Sequence, residues 1–336
     1  MSTDALPGGA CAAGTLPTSA PTSHLATEVA SQPALWEQVV RRLPELSSSL
    51  PALGARVAVV GCGTSFFVGQ AYAALREAAG RGETDAFAAS EAPLDRAYDH
   101  VLVVSRSGTT TEVIEVLRTL RRRGVRTSAV VATPGSPVTR LADRLVMLPE
   151  VDEQSVVQTR FATATLALLR ASLGEDLSGA VADARSVLAE AQSSAVGHLV
   201  GAEQTTFVGQ GWTVGLAQEA ALKLRESAQR WTESYQAMEY RHGPIAIAAP
   251  GRVTWALGRV PSGLAEQVTA TGAHFEHRDL DPLAELVRVH RLCLAVAVGL
   301  GLDPDHPRHL TRSVVLQPSV GSADLVDDGA RREGTA

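Results

Sequence analysis

The chain has 336 residues, 45% of them hydrophobic and 20% charged, which suits a globular protein of about two domains with a sizeable core. Thirty Lys+Arg against 36 Asp+Glu leave a net charge of -6, which excludes the overall basic field of a general polynucleotide binder. Three cysteines, Cys11, Cys62 and Cys293, show no CxxC pairing and argue against a disulfide framework or a structural zinc site, and the cytosol is the expected compartment.

Residues 1–23 are rich in Ala, Pro, Ser, Thr and Gly, lack a basic start and a continuous apolar centre, and read as a disordered tail rather than a secretory signal. Residues 24–50 begin with a leading helix in which Leu35, Val39 and Leu43 recur at helical spacing, with Pro33 in a first-turn position. A strand at 56–60 (RVAVV), a tight turn GCGTS and an Ala-rich helix follow. The same order returns at 100–104 (HVLVV), SRSGTTTE and VIEVLRTLRRRG, and two strand–turn–helix units in succession imply a parallel sheet. Arg121, Arg122 and Arg123 close that helix before Gly124, where cations suit the helix dipole. Apolar runs at 127–132 and 144–148 continue the alternation, and 155–173 reads as one covering helix.

The first domain is thus placed at 51–175 and a helical connector at 176–200. A second α/β domain is placed at 201–316, opening with TTFVG at 205–209 and carrying a strand at 253–258. Its later parts are a helix plus short extended piece in LAEQVTATGAHFEHRDL and the apolar helix LVRVHRLCLAVAVGLGL. Residues 317–336 read as a polar, disordered tail. No run of about 20 apolar residues occurs, so no membrane span is expected.

Ser/Thr/Gly-rich turns at the carboxyl ends of parallel strands gather backbone N–H groups and a helix dipole, the usual recipe for holding phosphate. GCGTS and SRSGTTTE offer Thr64, Ser65, Ser105, Ser107, Thr109 and Thr110, with Arg106 as a fixed cation. Neither GxxxxGK[ST] nor GxGxxG is present, which favours a small phosphorylated ligand over a nucleotide. Lys223 and Glu226 stand three apart on one helix face. HFEH (274–277) and HPRH (306–309) space histidines three apart, but with no cluster completing either they read as surface histidines, and no metal or cofactor is expected. Trp212, Trp231 and Trp255 read as core or subunit contacts.

GCGTS, SRSGTTTE and ALKLRES followed by ESYQAMEYRHGP resemble the tandem sugar isomerase (SIS) domains of the glutamine:fructose-6-phosphate amidotransferases. The likeness runs from about Thr27 to about Leu316. It implies two SIS domains, each a parallel-sheet α/β/α sandwich with flavodoxin-like winding. It also implies that Thr64, Ser65, Ser105, Ser107 and Thr110 hold a sugar phosphate, with Arg106 standing where the family has Gln. Gln158 and Thr159 fall on the family's sugar-contacting loop, although QTR departs from its STK. Glu226 matches the base that moves a proton between C1 and C2. His242 matches the ring-opening histidine, which in the family arrives from a neighbouring subunit, so a homodimer is implied.

Two departures matter. Neither a glutaminase domain nor a Cys at position 2 precedes the SIS region, so glutamine amidotransfer is not expected. DHPRHLTRSVVL resembles the family's DxPRxLAKSVTVE, yet Arg312 replaces its Schiff-base lysine, and a guanidinium forms no imine, although it can still bind phosphate or an oxyanion. The expected ligand is an amino sugar 6-phosphate and the expected catalytic set is Glu226, His242, Lys223 and Arg312. Elimination of the C3 oxygen, as in the related etherases acting on N-acetylmuramic acid 6-phosphate, is the favoured outcome. Isomerisation or deamination is the alternative, restored to the lead if Lys223 forms the imine, and a non-catalytic sugar-phosphate sensor is the competing class.

Overall fold

The computed structural model describes residues 23–317; the tails expected over 1–23 and 317–336 lie outside it but for their inner ends. Helix α1 (His24–Arg41) is followed by a short α2 (Leu43–Leu46) and then by the first sheet. Pro33 sits mid-helix in α1, not in its first turn. A proline there leaves the carbonyl four residues back without its donor, and the Gln32 side-chain amide supplies one, donating to Val29 O at 3.1 Å.

The first sheet contains β1 (Val57–Gly61), β2 (Thr84–Ala88), β3 (His100–Val104), β4 (Thr127–Val131) and β5 (Arg144–Met147) in the order β2-β1-β3-β4-β5. All pairs are parallel. Helices α3 (Thr64–Ala78), α4 (Thr111–Arg122), α5 (Pro137–Leu141) and α6 (Arg160–Ser172) supply the crossovers and covering layers. β1, β3 and β4 are buried along their whole length, as strands covered on both faces must be. α4 turns Val113, Val116, Leu117 and Leu120 onto the sheet at helical spacing, each such burial contributing roughly 1.5–3 kcal/mol.

Helices α7 (Ser178–Ala189) and α8 (Gln192–Val196) connect to the second sheet. There β6 (Gln204–Gly209), β7 (Thr232–Gln236), β8 (Arg252–Leu257) and β9 (His274–Glu276) lie parallel in the order β7-β6-β8-β9. Its helices are α9 (Thr213–Ala228), α10 (Leu264–Ala270) and α11 (Pro282–Gly299). The edge strands β2 and β7 are half-buried mixed segments, TDAFA and TESYQ, without the apolar runs that mark their neighbours, and the sequence reading passes over both.

α3 and α9 cross so closely that a Cβ on Gly215 would stand 2.5 Å from Phe67 O and 2.9 Å from Ala71 N. The two sheets are thereby joined through helices, with the start of α3 beside α9. The helix expected over 155–173 begins only at Arg160, because the preceding residues are tied down by two buried carboxylates. Glu28 accepts from Gln154 N–H at 2.6 Å, and Glu153 accepts from the Thr159 and Arg160 N–H groups at 2.5 and 2.8 Å. Among the described residues no helix is long and apolar enough to cross a membrane.

Candidate active site

The strand order reverses between β1 and β3, and in an open parallel sheet the crevice at that point is where ligands sit. The two loops expected to hold phosphate leave from there. Thr64 and Ser65 form the first turn of α3 and are buried. In the loop after β3, Ser105 Oγ accepts from Gly108 N–H at 3.2 Å, and Ser107 Oγ accepts from the Thr109 N–H at 3.2 Å and hydroxyl at 3.0 Å. Gly108 has φ +63°, and a Cβ there would lie 2.1 Å from Ser136 Oγ, so the turn requires glycine. Thr110 precedes α4 without a side-chain cap.

Arg106 does not add its charge to this loop, as the sequence suggested. Its guanidinium lies beneath, only 1% exposed. Nη1 donates to Glu153 Oε2 at 3.4 Å and Ser155 O at 3.1 Å; Nη2 donates to Val156 O and Arg312 O, both at 3.1 Å. Four of its five N–H donors thus brace the 153–159 segment and the C-terminal segment, and Nε is left buried without a partner. Burial pushes the Glu153 carboxyl pKa up, while Arg106 and the Thr159 and Arg160 N–H groups pull it back. Thr159 is likewise committed to Glu153, its hydroxyl donating at 3.1 Å, so it is not free for the sugar contact expected of it. Gln158 keeps a buried Oε1 with no partner, an acceptor available to a ligand.

Arg312 also departs from its expected place in the catalytic set. Its guanidinium is held by Asp152 Oδ1 and Glu153 O, and among the described residues no contact joins it to Lys223 or Glu226. The segment that follows lies against the loop after β3: Ser313 Oγ is 2.8 Å from Thr109 Oγ1, and Val314 O accepts from Thr111 N–H at 3.1 Å.

α9 carries the densest charge. Lys223 Nζ, 1% exposed, lies 2.5 Å from Glu226 Oε2 and 3.6 Å from Glu219 Oε1. Glu219 escaped the sequence reading although it stands one turn before Lys223 and two before Glu226 on the same stripe, the signal that would have found it. Burial raises the Glu219 pKa to about 7, against the pull of Lys223. Burial alone would lower the Lys223 pKa, but Glu219 and Glu226 outweigh it and hold the ammonium above its ordinary value. Lys223 is therefore a fixed cation between two carboxyls.

Behind it, His290 Nδ1 meets the Gln32 amide at 3.2 Å and its Nε2 is buried without a partner. Burial, with Lys223 adding to it, drives the His290 pKa down to about 3, so the ring is neutral. Cys293 is pushed up to about 12 by burial and is an inert thiol. Of Glu219, Lys223 and Glu226, Glu226 is the one that is partly open, at 20% side-chain exposure, onto a cleft of about 460 Å³ that Arg225, Arg230, Arg308 and His309 share. His242 lies on an exposed turn following Glu239–Arg241, and among the described residues no contact within the chain ties its ring to Glu226.

Residues 54–173 match the SIS domain family. The glutamine–fructose-6-phosphate aminotransferase [isomerizing] of Aeropyrum pernix is 29% identical over 351 residues, covering 86% of this chain and 57% of the relative. Its Thermus thermophilus counterpart is 29% identical, covering 78% and 52%. The chain spans about half the length of the curated relatives it matches. Among solved structures, the glucosamine-6-phosphate deaminase of Thermotoga maritima superposes with a TM-score of 0.73 at 21% identity, over 88% of this chain and all of that one. The tagatose-6-phosphate ketose/aldose isomerase of Escherichia coli gives 0.69 at 16%, over 91% and 100%. These likenesses show the same fold.

Proposed function

We propose, from the SIS domain match over residues 54–173, that the chain is a phosphosugar enzyme that removes the C2 proton of an open-chain amino sugar 6-phosphate. One observation carries this: the Lys223 Nζ–Glu226 Oε2 pair of 2.5 Å, on a helix packed beside the phosphate-type turn of α3. Glu226 is the base, since it is the carboxyl with an open face. Taking the C2 proton leaves the electron pair delocalised onto O1 as an enediolate-type anion, and the buried Lys223 cation offsets that charge. A fixed ammonium suits this task and not imine formation, which needs the neutral amine, and Arg312 cannot supply one. The chemistry proposed here therefore uses no Schiff base between a protein lysine and the sugar.

Return of the proton to C1 gives the ketose or, with nitrogen at C2, an imine that water hydrolyses to ketose and ammonia. The curated relatives' names place fructose 6-phosphate on one side of an amino-group transfer, and a structural neighbour is named a glucosamine-6-phosphate deaminase, which supports a C2-amino hexose 6-phosphate as substrate. A second reading, elimination of the C3 oxygen, has its own support in Glu219. A carboxyl with a pKa of about 7 is half protonated at neutral pH and can donate to a leaving oxygen while Glu226 takes the C2 proton. In either reading His242 opens the ring from a second copy of the chain, so the working unit is a homodimer.

Proton NMR in D2O tests this with glucosamine, N-acetylglucosamine, glucose and fructose 6-phosphates. Loss of the C2 proton signal with ketose and ammonia supports deamination; an unsaturated product from the N-acetyl sugar supports elimination. Glu226→Gln should bind the sugar phosphate yet lose roughly 10²–10⁴ in turnover. Binding without exchange in the wild-type chain would leave a sensor and sink the enzyme.

A further inference from the structure

At the outer edge of the second sheet, far along the chain from the α9 cluster, three side chains converge. His274 and Glu276 are alternate residues of β9 and project from the same face. His198 reaches them from the short turn Gly197–Leu199 in the connector. His198 Nε2 lies 2.9 Å and His274 Nε2 2.8 Å from the same oxygen, Glu276 Oε2, and the three atoms all lie within 4.8 Å of one another. The other carboxylate oxygen, Oε1, is held by the buried Arg288, which also pairs with Glu285 at 2.7 Å.

We propose that His198, His274 and Glu276 form a binding site for a divalent transition cation of the zinc, cobalt or nickel kind. Two imidazoles and one carboxylate select these ions over magnesium and calcium, which favour all-oxygen shells. Bonds of about 2.1 Å in a tetrahedral shell require ligand atoms about 3.4 Å apart. The two His–carboxylate separations need to open by about half an ångström, and the rings, 45% and 49% exposed, are free to do so. Arg288 fixes Glu276 from behind, leaving Oε2 as the ligand atom, the kind of outer-shell support that sets ligand orientation. The half-exposed rings leave the fourth position to water. Neither HFEH nor HPRH as a spacing motif contains this set. His277 of HFEH instead meets Gly258 O at 2.9 Å, and the partner of His274 comes from the connector. An ion here would pin the three-residue edge strand to residues 197–199.

Equilibrium dialysis of the full chain, freed of metal by chelator, against Co2+ tests the site, with visible absorption reporting tetrahedral geometry. The expected result is one Co2+ per chain, tetrahedral bands, and a melting temperature that rises with Co2+ or Zn2+ and falls back with chelator. His198→Ala and His274→Ala should each lose at least tenfold in affinity, while His306→Ala, which removes an exposed histidine paired with Asp303, should not. Both ring truncations are at half-exposed positions, and the metal-free melting temperature of each variant checks that it folds. Absence of retained Co2+, or retention unchanged in both histidine variants, overturns the proposal.

Discussion

Glu219→Gln isolates one buried titration. In the folded chain this carboxyl has its pKa raised by burial from 4.5 to about 7. Between those values the native chain holds a proton that the unfolded chain has released, so stability falls as pH rises. Each tenfold of proton affinity is worth about 1.4 kcal/mol, which makes the loss about 3 kcal/mol in full, absent well below pH 4.5 and complete above pH 7, with about 2 kcal/mol of it developing between pH 5 and pH 7. Glutamine has the same shape, carries no charge at any of these pH values, and leaves Lys223 its closer partner, Glu226. The variant should exceed the wild type by about 1 kcal/mol at pH 5 and by about 3 kcal/mol at pH 7. Glu285, also raised to about 7 by burial, is present in both proteins and cancels in the difference. Matched urea unfolding curves at pH 5, 6 and 7 and constant ionic strength, followed by circular dichroism, give the comparison. A difference that does not change with pH would show that Glu219 is ionised throughout, and the view of it as a proton-holding carboxyl would be wrong.

Arg106→Ala strands the buried Glu153 carboxylate and should cost about 3–5 kcal/mol, read as a lower melting temperature, with partial rescue by adding Glu153→Gln. Rescue would fail if Arg106 chiefly served the ligand. Gly108→Ala forces a side chain into φ +63° and against Ser136, and should cost about 1–3 kcal/mol and weaken sugar-phosphate binding in calorimetry. Unchanged binding would move the phosphate site elsewhere. Borohydride added with fructose 6-phosphate should trap no adduct in intact-mass spectra, because Lys223 is held protonated; a trapped mass lost in Lys223→Met would restore imine chemistry.

Parallel winding and the two phosphate-type turns were legible because they depend on local order: an apolar strand, a Gly/Ser/Thr turn and an amphipathic helix, repeated. Edge strands β2 and β7 were not, since TDAFA and TESYQ carry no periodicity that separates them from loop. At the site, Lys223 and Glu226 could be read because helical spacing alone puts them together, and Glu219 obeyed the same rule. Arg106 and Arg312 could not, and the reason is geometric. A guanidinium reaches partners from any quarter, and its neighbours here come from segments about 50 and 206 residues away. The Ser105 and Ser107 hydroxyls bond within their own loop, while the Arg106 side chain between them leaves it for the 153–156 and C-terminal segments. A charge in such a turn is therefore informative only when its direction is counted: the hydroxyls on either side of Arg106 serve the turn itself, and Arg106 serves the segments packed beneath it.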